Sequence, residues 1–384
     1  MTVKKEPLWG RAYVFLSLAN FFSWLSYNMI APVMTGYMES LGAGVSICGI
    51  VGGLFAFASC LSRPASGYLS DCYNRKLLMG IFTVVMAFSV FVYSVIPCVP
   101  VILVFRTVHG MAFAVSSTAS LVLVSECVPE SRMAEGVSYY SIMSVVSMAA
   151  GPSLGIWISG RFGYRICMLA AAVILAAAGV INFLIPYQAR AEEKKKRDRR
   201  IRISGLVEPK LIGLSGVNAA FTMVQGIISA FLLPMTLEKG LGGAGFHFTL
   251  SAVVLIAARI LMAEHMNQMS LRQNLYPAFL CGVLTLVLVG RADAEWFLIA
   301  AAVTKAFSHG MSQPALQTEA IRVVPAEKRG VACSTMYIGG DLGQALGPML
   351  GGMVADVTGY SNMYLWCIVP LAAAWVYFLK REKQ

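Results

Sequence analysis

Apolar residues run along this chain in long stretches separated by short polar or basic segments. The stretches exceed what a strand or an ordinary core helix requires. Because about 20 apolar residues carry a helix across a bilayer, the pattern predicts twelve membrane-spanning helices. The first six lie near Ala12 to Met38, Val45 to Ser66, Leu77 to Ile96, Val101 to Ser125, Val137 to Ser159 and Ile166 to Pro186. The second six lie near Leu211 to Leu233, Phe248 to Met262, Tyr276 to Leu288, Trp296 to Ala320, Val331 to Val354 and Met363 to Phe378. The expected architecture is an all-α polytopic membrane protein of two pseudo-symmetric six-helix bundles. Residues 1–187 and 211–384 form the bundles, and a basic cytoplasmic linker at 188–210 joins them. Lys4 and Lys5 precede the first stretch, which is too long for a signal-peptide core and lacks a small-residue cleavage site. It is expected to stay as the first span.

The two halves read as repeats of one unit. Pro129, Ser138, Gly151, Pro152, Leu154, Gly155, Gly163 and Tyr164 recur as Pro325, Ser334, Gly347, Pro348, Leu350, Gly351, Gly359 and Tyr360, each 196 positions later, and Arg63 recurs as Arg259. His109-Gly110-Met111 recurs 200 positions later as His309-Gly310-Met311, an offset that a deletion of about one helical turn before Pro325 reconciles. Duplicated six-helix units suit a transporter, because two similar halves can rock around a site between them.

Composition removes the main alternatives. The 384 residues are 58% hydrophobic and 13% charged, against about 25% charged in soluble domains, which argues against a soluble enzyme and against disorder. Nine cysteines, without CxxC spacing and mostly inside apolar runs, read as small core residues. The net charge of +11 would suit nucleic acid if the basic residues clustered on one soluble face. Instead, of 30 Lys and Arg, 22 fall on the side of the chain ends, 4 on the opposite side (Arg161, Arg165, Lys239, Arg291) and 4 within or at the ends of spans (Arg63, Arg106, Arg259, Lys305). This is the positive-inside pattern. It places the chain in the cytoplasmic membrane with both termini cytoplasmic, and it argues against nucleic-acid binding. The run from Arg190 to Arg202 reads as a solvated linker leaning on anionic lipid.

Polar residues inside the spans follow helical spacing. The first span carries Asn20, Ser23, Trp24, Tyr27, Asn28 and Thr35 on one face, and the seventh carries Asn218, Thr222, Gln225, Gly226 and Ser229. The fourth aligns Arg106, His109, Gly110, Ser116, Ser117 and Ser120; the tenth aligns Lys305, His309, Ser312 and Gln313; the eleventh adds Ser334, Tyr337, Asp341 and Gln344. These five spans are expected to surround a polar cavity while the third, sixth, ninth and twelfth face lipid. The alternative is that the polar stripes only tie helices together by hydrogen bonds. Asp341 is the sharpest residue, twelve positions after Arg329 and so roughly 18 Å up its span, near the midplane. A carboxylate there must be paired, hydrated or protonated. Lys305 is the expected partner, with Arg106 in the pseudo-equivalent region, and the set is either proton-coupling or a permanent structural pair. His109 and His309 are candidate substrate or proton contacts because imidazole titrates near neutral pH. His247 and His265 sit at helix margins without metal-ligand partners in the sequence. There is no Gly-rich GKS or GKT phosphate loop, so ATP drive, cofactor and metal are not expected.

At this point the chain resembles the major facilitator superfamily, and within it the bacterial drug:proton antiporter branch with twelve helices. The loop after the second span, Gly67-Tyr-Leu-Ser-Asp71-Cys-Tyr-Asn74-Arg75-Lys76, matches the family pattern at Gly67, Asp71, Arg75 and Lys76. Cys72 and Asn74 depart from it. Arg106 and Gly110 match the fourth-span pattern. Gly151, Pro152 and Gly155 match the antiporter pattern of the fifth span, which returns more fully at Gly343, Gly347, Pro348, Gly351 and Gly352. The resemblance implies alternating access, efflux of small amphipathic compounds coupled to protons, no enzymatic activity, and gating by Gly67, Asp71, Arg75 and Lys76. A monomer is expected, with membrane lipid, protons and a small-molecule substrate as partners. Trp24, Tyr27, Asn28, Gln225, Gln313 and Tyr337 are the expected wall contacts, and the glycine and proline pairs are expected to bring helices close together. Because Arg106 and Lys305 outnumber Asp341, export or exchange of an organic anion or a zwitterionic metabolite is the alternative.

Overall fold

The computed structural model describes residues 9–129, 133–187, 207–324 and 329–381. Among these the regular elements are helical: α1 (Arg11–Ile30), α2 (Met34–Ser40), α3 (Val45–Cys72), α4 (Arg75–Val95), α5 (Val99–Cys127), α6 (Met133–Phe162), α7 (Tyr164–Leu184), α8 (Ile212–Glu238), α9 (Ala244–Gln268), α10 (Leu271–Gly290), α11 (Glu295–Arg322), α12 (Arg329–Trp366) and α13 (Ile368–Arg381). They make twelve crossings. α1 and α2 form one crossing bent by 42°. α12 is broken at Gly359, whose φ of 79° ends the eleventh crossing and begins the twelfth. Its repeat counterpart Gly163, at φ 87°, makes the same turn between α6 and α7. Both need a residue without Cβ, because a positive φ strains any other side chain.

Eight of the described stretches are long and apolar enough to span a membrane, nine when the bent pair counts as one, and the stretch Val331–Lys380 holds two crossings. α9 meets the apolar criterion only over Ala244–Ala258. The apolar run of α11 is interrupted by Lys305, and the helix carries Glu319 and Arg322 in its last turn. The eighth and ninth spans are longer than their apolar cores suggested. α9 continues through polar residues to Gln268, and α10 starts earlier at a capping box of Ser270 and Gln273. The linker at 188–206 lies outside the described residues. Alternating crossings place the ends of α1, α3, α5 and α13 bearing Arg11, Cys72, Cys127 and Arg381 on the side where this linker leaves, hereafter the linker side. The opposite side is the far side.

Within the first half α1 packs on α6 and α7, α4 on α5 and α7, and α3 on α5; within the second, α8 packs on α12, α10 on α11, and α11 on α9. Separate apolar clusters fill the halves, one built from Leu211 to Phe378 and two centred on the first half. The same polar tie recurs in each half. Asn20 donates to the Tyr140 carbonyl and the Ser144 hydroxyl, both at 3.1 Å, and Asn218 donates to the Met336 carbonyl at 2.8 Å. Each asparagine joins the first crossing of its half to the fifth, where hydrocarbon offers its amide no other partner.

Candidate functional site

Between the halves α3 meets α12 and α6 meets α9. On the far side both seams are tight. A Cβ on Gly49 or Gly53 would strike the Pro348 or Ala345 carbonyl, and Gly352 faces Gly49 backbone to backbone. Around this contact Ser46 donates to Asp356 at 2.7 Å, Tyr360 donates to Glu39, and Thr35 donates to the Ala230 carbonyl. In the second seam Ser153 donates to the Gly245 carbonyl at 2.7 Å and Thr249 to the Ala149 carbonyl at 3.0 Å. Toward the linker side the α3 and α12 faces part. Tyr337, on the α12 face that holds Asp341, is 50% exposed, and a Cβ at Gly67, one turn beyond Arg63 on α3, would meet nothing within 4 Å. Among the described residues the molecule is therefore zipped on the far side and open on the linker side between Gly67 and Tyr337.

At the point where the seam opens, Arg63 Nε donates to Asp341 Oδ2 at 2.8 Å, an ion pair across the two halves with side chains 28% and 23% exposed. This corrects the expected partner of Asp341. Lys305 is elsewhere, 5% exposed, with its ammonium 5.0 Å from the centre of the Phe248 ring. Arg63 was visible in sequence only as a repeated arginine, because helical spacing cannot say which face of one half opposes which face of the other. Next to the pair the Tyr27 hydroxyl lies near Gln344 of α12, with Arg106 and Asp341 close enough to act on it electrostatically.

An aromatic wall from the first half borders this point. Trp24 meets Tyr27 and Phe113 edge to face at 5.7 and 5.4 Å between centroids, and Tyr27 lies 4.7 Å from Phe55. Trp24, Tyr27 and Phe113 are only partly buried. Behind Phe55 sit two residues expected to face the cavity. Arg106 and His109 are each 2% exposed. The Arg106 guanidinium lies 5.0 Å from the Phe55 ring centre, its Nε donates to the Val51 carbonyl at 3.4 Å, and its Nη1 is buried without a hydrogen-bond partner. His109 Nδ1 is 3.4 Å from the Tyr93 hydroxyl. In this state both are wall-backing residues, not cleft contacts. Arg106 over Phe55 and Lys305 over Phe248 form matching cation–π pairs in the two halves. Among the described residues neither cation has a carboxylate within ion-pair distance, which leaves the interior with two more positive groups than the neutral Arg63–Asp341 pair accounts for.

The remaining expected contacts divide. Tyr337 stands in the cleft. Asn28 turns back to the Trp24 carbonyl at 2.8 Å and packs on Gly151. Gln313 donates to Asn218 at 2.7 Å and so extends the tie between α8, α11 and α12. Gln225 and His309 are partly buried on α8 and α11. His247 lies in the first turn of α9, which begins at Ala244, and it is fully buried, with its Nδ1 2.9 Å from the Leu298 carbonyl. The side chains of His265 and Asp71 lie outside the described residues. Arg75 pairs with Glu126, whose other oxygen accepts from Tyr187 at 2.7 Å, and Lys76 is partly buried at the start of α4. Gly151 and Gly155 sit against α1 at Asn28 and Met29, and Gly343 and Gly347 sit against α8 at Ala219 and Met223. Gly351 faces Ile227 and Met363, and the prolines Pro152 and Pro348 lie inside α6 and α12. The glycines that join the halves, Gly49, Gly52 and Gly53, were missed. Their signal was a stripe of small residues on the second span, at spacings of three and four.

A model of the Major Facilitator Superfamily matches residues 16–290 and 214–384. The staphylopine export protein of Staphylococcus aureus is 22% identical over 376 residues, spanning 93% of this chain and 91% of its own. The MFS-type transporter YhhS of Escherichia coli is 24% identical over 384 residues, spanning 96% and 92%. Among solved structures, a mutant of the nucleoside transporter NupG superposes with a TM-score of 0.80 at 11% identity, covering 96% of this chain and 99% of its own. A bacterial homologue of the human lysosomal transporter Spinster superposes at 0.79 and 14% identity, covering 97% of each chain.

Proposed function

Because the chain belongs to the Major Facilitator Superfamily and so is a multi-pass membrane transporter, we propose that it exports a small amphipathic compound in exchange for protons by alternating access. The observation that carries this reading is the ion pair Arg63–Asp341 at the apex of a cleft bordered by Trp24, Tyr27 and Phe113. Positive-inside bias makes the linker side cytoplasmic, so the zipped far side faces outward and the described state opens inward. In that state Asp341 is charged and held by Arg63, its proton released inward. An apolar substrate entering over the aromatic wall gains burial, the halves close below it at the Gly67 face, and the far-side contact at Gly49 and Gly53 parts. Asp341, then open to the outside, is protonated; a neutral acid no longer needs Arg63, and the halves return. The far-side closing contacts Ser46–Asp356 and Tyr360–Glu39 re-form each cycle.

A second reading concerns the charge of the substrate. Arg106 and Lys305 lack carboxylate partners among the described residues, so a negative or zwitterionic group is better matched to the interior than a cation. The staphylopine exporter shows that export is represented among relatives of similar length. The test is purified protein in liposomes with an internal pH dye, no gradient imposed, and a panel of cationic drugs, zwitterions and organic acids. Substrate-dependent proton movement is expected. Silence across the panel from folded protein would overturn proton-coupled exchange of these compounds.

A further inference from the structure

A second cavity lies outside the transport cleft, on the lipid-facing flank of the second half. It has a volume of about 700 Å³ and opens between α8, the middle of α12 and the twelfth crossing, within the range of about 300–1,000 Å³ seen for ligand pockets. Its floor is small residues, with Gly216, Ala219, Ala220 and Gly343 among them, and its walls are Leu350 and Trp366. A Cβ at Gly216 would meet nothing within 4 Å, so the floor is open there. These residues lie at hydrocarbon depth, where water is not a candidate occupant.

The linker-side end of the groove has different chemistry. The Tyr377 hydroxyl reaches Gly213 and roofs the groove at that end. One turn beyond Tyr377 comes Lys380, and three residues before Gly213 comes Lys210; both are exposed. The Tyr377–Gly213 contact brings the two helix ends together, so Lys210 and Lys380 come to the end where the apolar groove reaches the membrane surface. The only described carboxylate next to them in sequence, Glu208, is buried, and its backbone N–H donates to Thr335 at 2.9 Å.

We propose that this groove binds an anionic phospholipid, with an acyl chain in the groove and the phosphate between Lys210 and Lys380. An apolar slot capped by clustered cations at one membrane surface matches a lipid with a negative headgroup, and basic pockets between spans on the cytoplasmic side bind such headgroups. The site joins α8 and α12 to the twelfth crossing, so an occupying lipid braces the moving half from outside.

The test is native mass spectrometry of the full-length protein titrated with phosphatidylglycerol or with phosphatidylcholine of the same acyl chains. Each basic side chain near an anionic headgroup contributes a factor of roughly five, so retention of phosphatidylglycerol is expected to exceed phosphatidylcholine by about tenfold or more. The variant K210Q/K380Q is expected to lose the preference while still holding either lipid weakly. Gly216→Phe, which fills open space, is expected to reduce retention of both. Equal retention of the two lipids by the unaltered protein overturns the proposal, and so does a preference that survives the double substitution. Soluble glycerol phosphate is expected not to displace the lipid; displacement would show a free-phosphate site and refute the role of the groove.

Discussion

The ion pair between Arg63 and Asp341 gives the most quantitative prediction. At 2.8 Å and an effective dielectric near 20, the direct attraction is about 6 kcal/mol. Desolvation of two side chains less than a third exposed, and the ordering of a long arginine, reduce this to the about 1.5–3 kcal/mol typical of a hydrogen bond to a charged group. If the pair exists only while the linker side is open, removing about 2 kcal/mol shifts the balance against that state by roughly 30-fold. The perturbation is Arg63→Met, which keeps the apolar stem. The readout is Tyr337→Cys in a background with all nine native cysteines replaced, labelled from the linker side with a membrane-impermeant maleimide. Tyr337 is 50% exposed in the cleft, so labelling reports the open state directly. Labelling is expected to slow by about an order of magnitude in Arg63→Met and to recover in the charge-swapped pair Arg63→Asp with Asp341→Arg. Unchanged labelling in Arg63→Met would refute the reasoning.

Four further outcomes follow from the same geometry. Gly53→Leu places a side chain against the Ala345 carbonyl, so it is expected to disfavour far-side closure and lower Tyr337→Cys labelling, whereas Gly67→Ala, facing open space, leaves labelling unchanged or raised. Lys305→Met is expected to weaken organic acids by about 1.5–3 kcal/mol relative to cations, measured by equilibrium binding; equal losses for both would assign Lys305 a structural role. Gln313→Leu strips Asn218 of its 2.7 Å partner and is expected to cost about 0.5–2 kcal/mol, read as a lowered unfolding temperature in detergent. Arg75→Gln breaks the pair with Glu126; it is expected to lower the unfolding temperature by a few degrees, and an unaltered value would show that the pair contributes little.

Much of the fold was legible because a bilayer imposes a simple rule. Apolar runs of fixed minimal length must be helices, and a repeat displaced by 196 residues pairs the two halves, down to the positive-φ glycines Gly163 and Gly359. The polar faces were also readable, but their use was not. Asn20 and Asn218 lie on the faces expected to line a cavity, yet they tie helices within a half, as the alternative reading of polar stripes held. Helical spacing reports which residues share a face and is silent about what that face meets. For the same reason Asp341 was singled out while its partner was not. Arg63 is 278 residues away and in the other half, and only the register of α3 on α12 brings the two together. His247 was placed correctly at a helix margin, in the first turn of α9, but helical spacing held no sign that this turn carries the imidazole inside.

The central claim is that Asp341 carries the exchanged proton, and Asp341→Asn tests it most directly. In liposomes with a substrate identified from the panel, the variant is expected to lose uptake driven by a proton gradient while keeping substrate exchange across the membrane, because asparagine holds the neutral form permanently. Gradient-driven uptake at the unaltered rate would contradict the account.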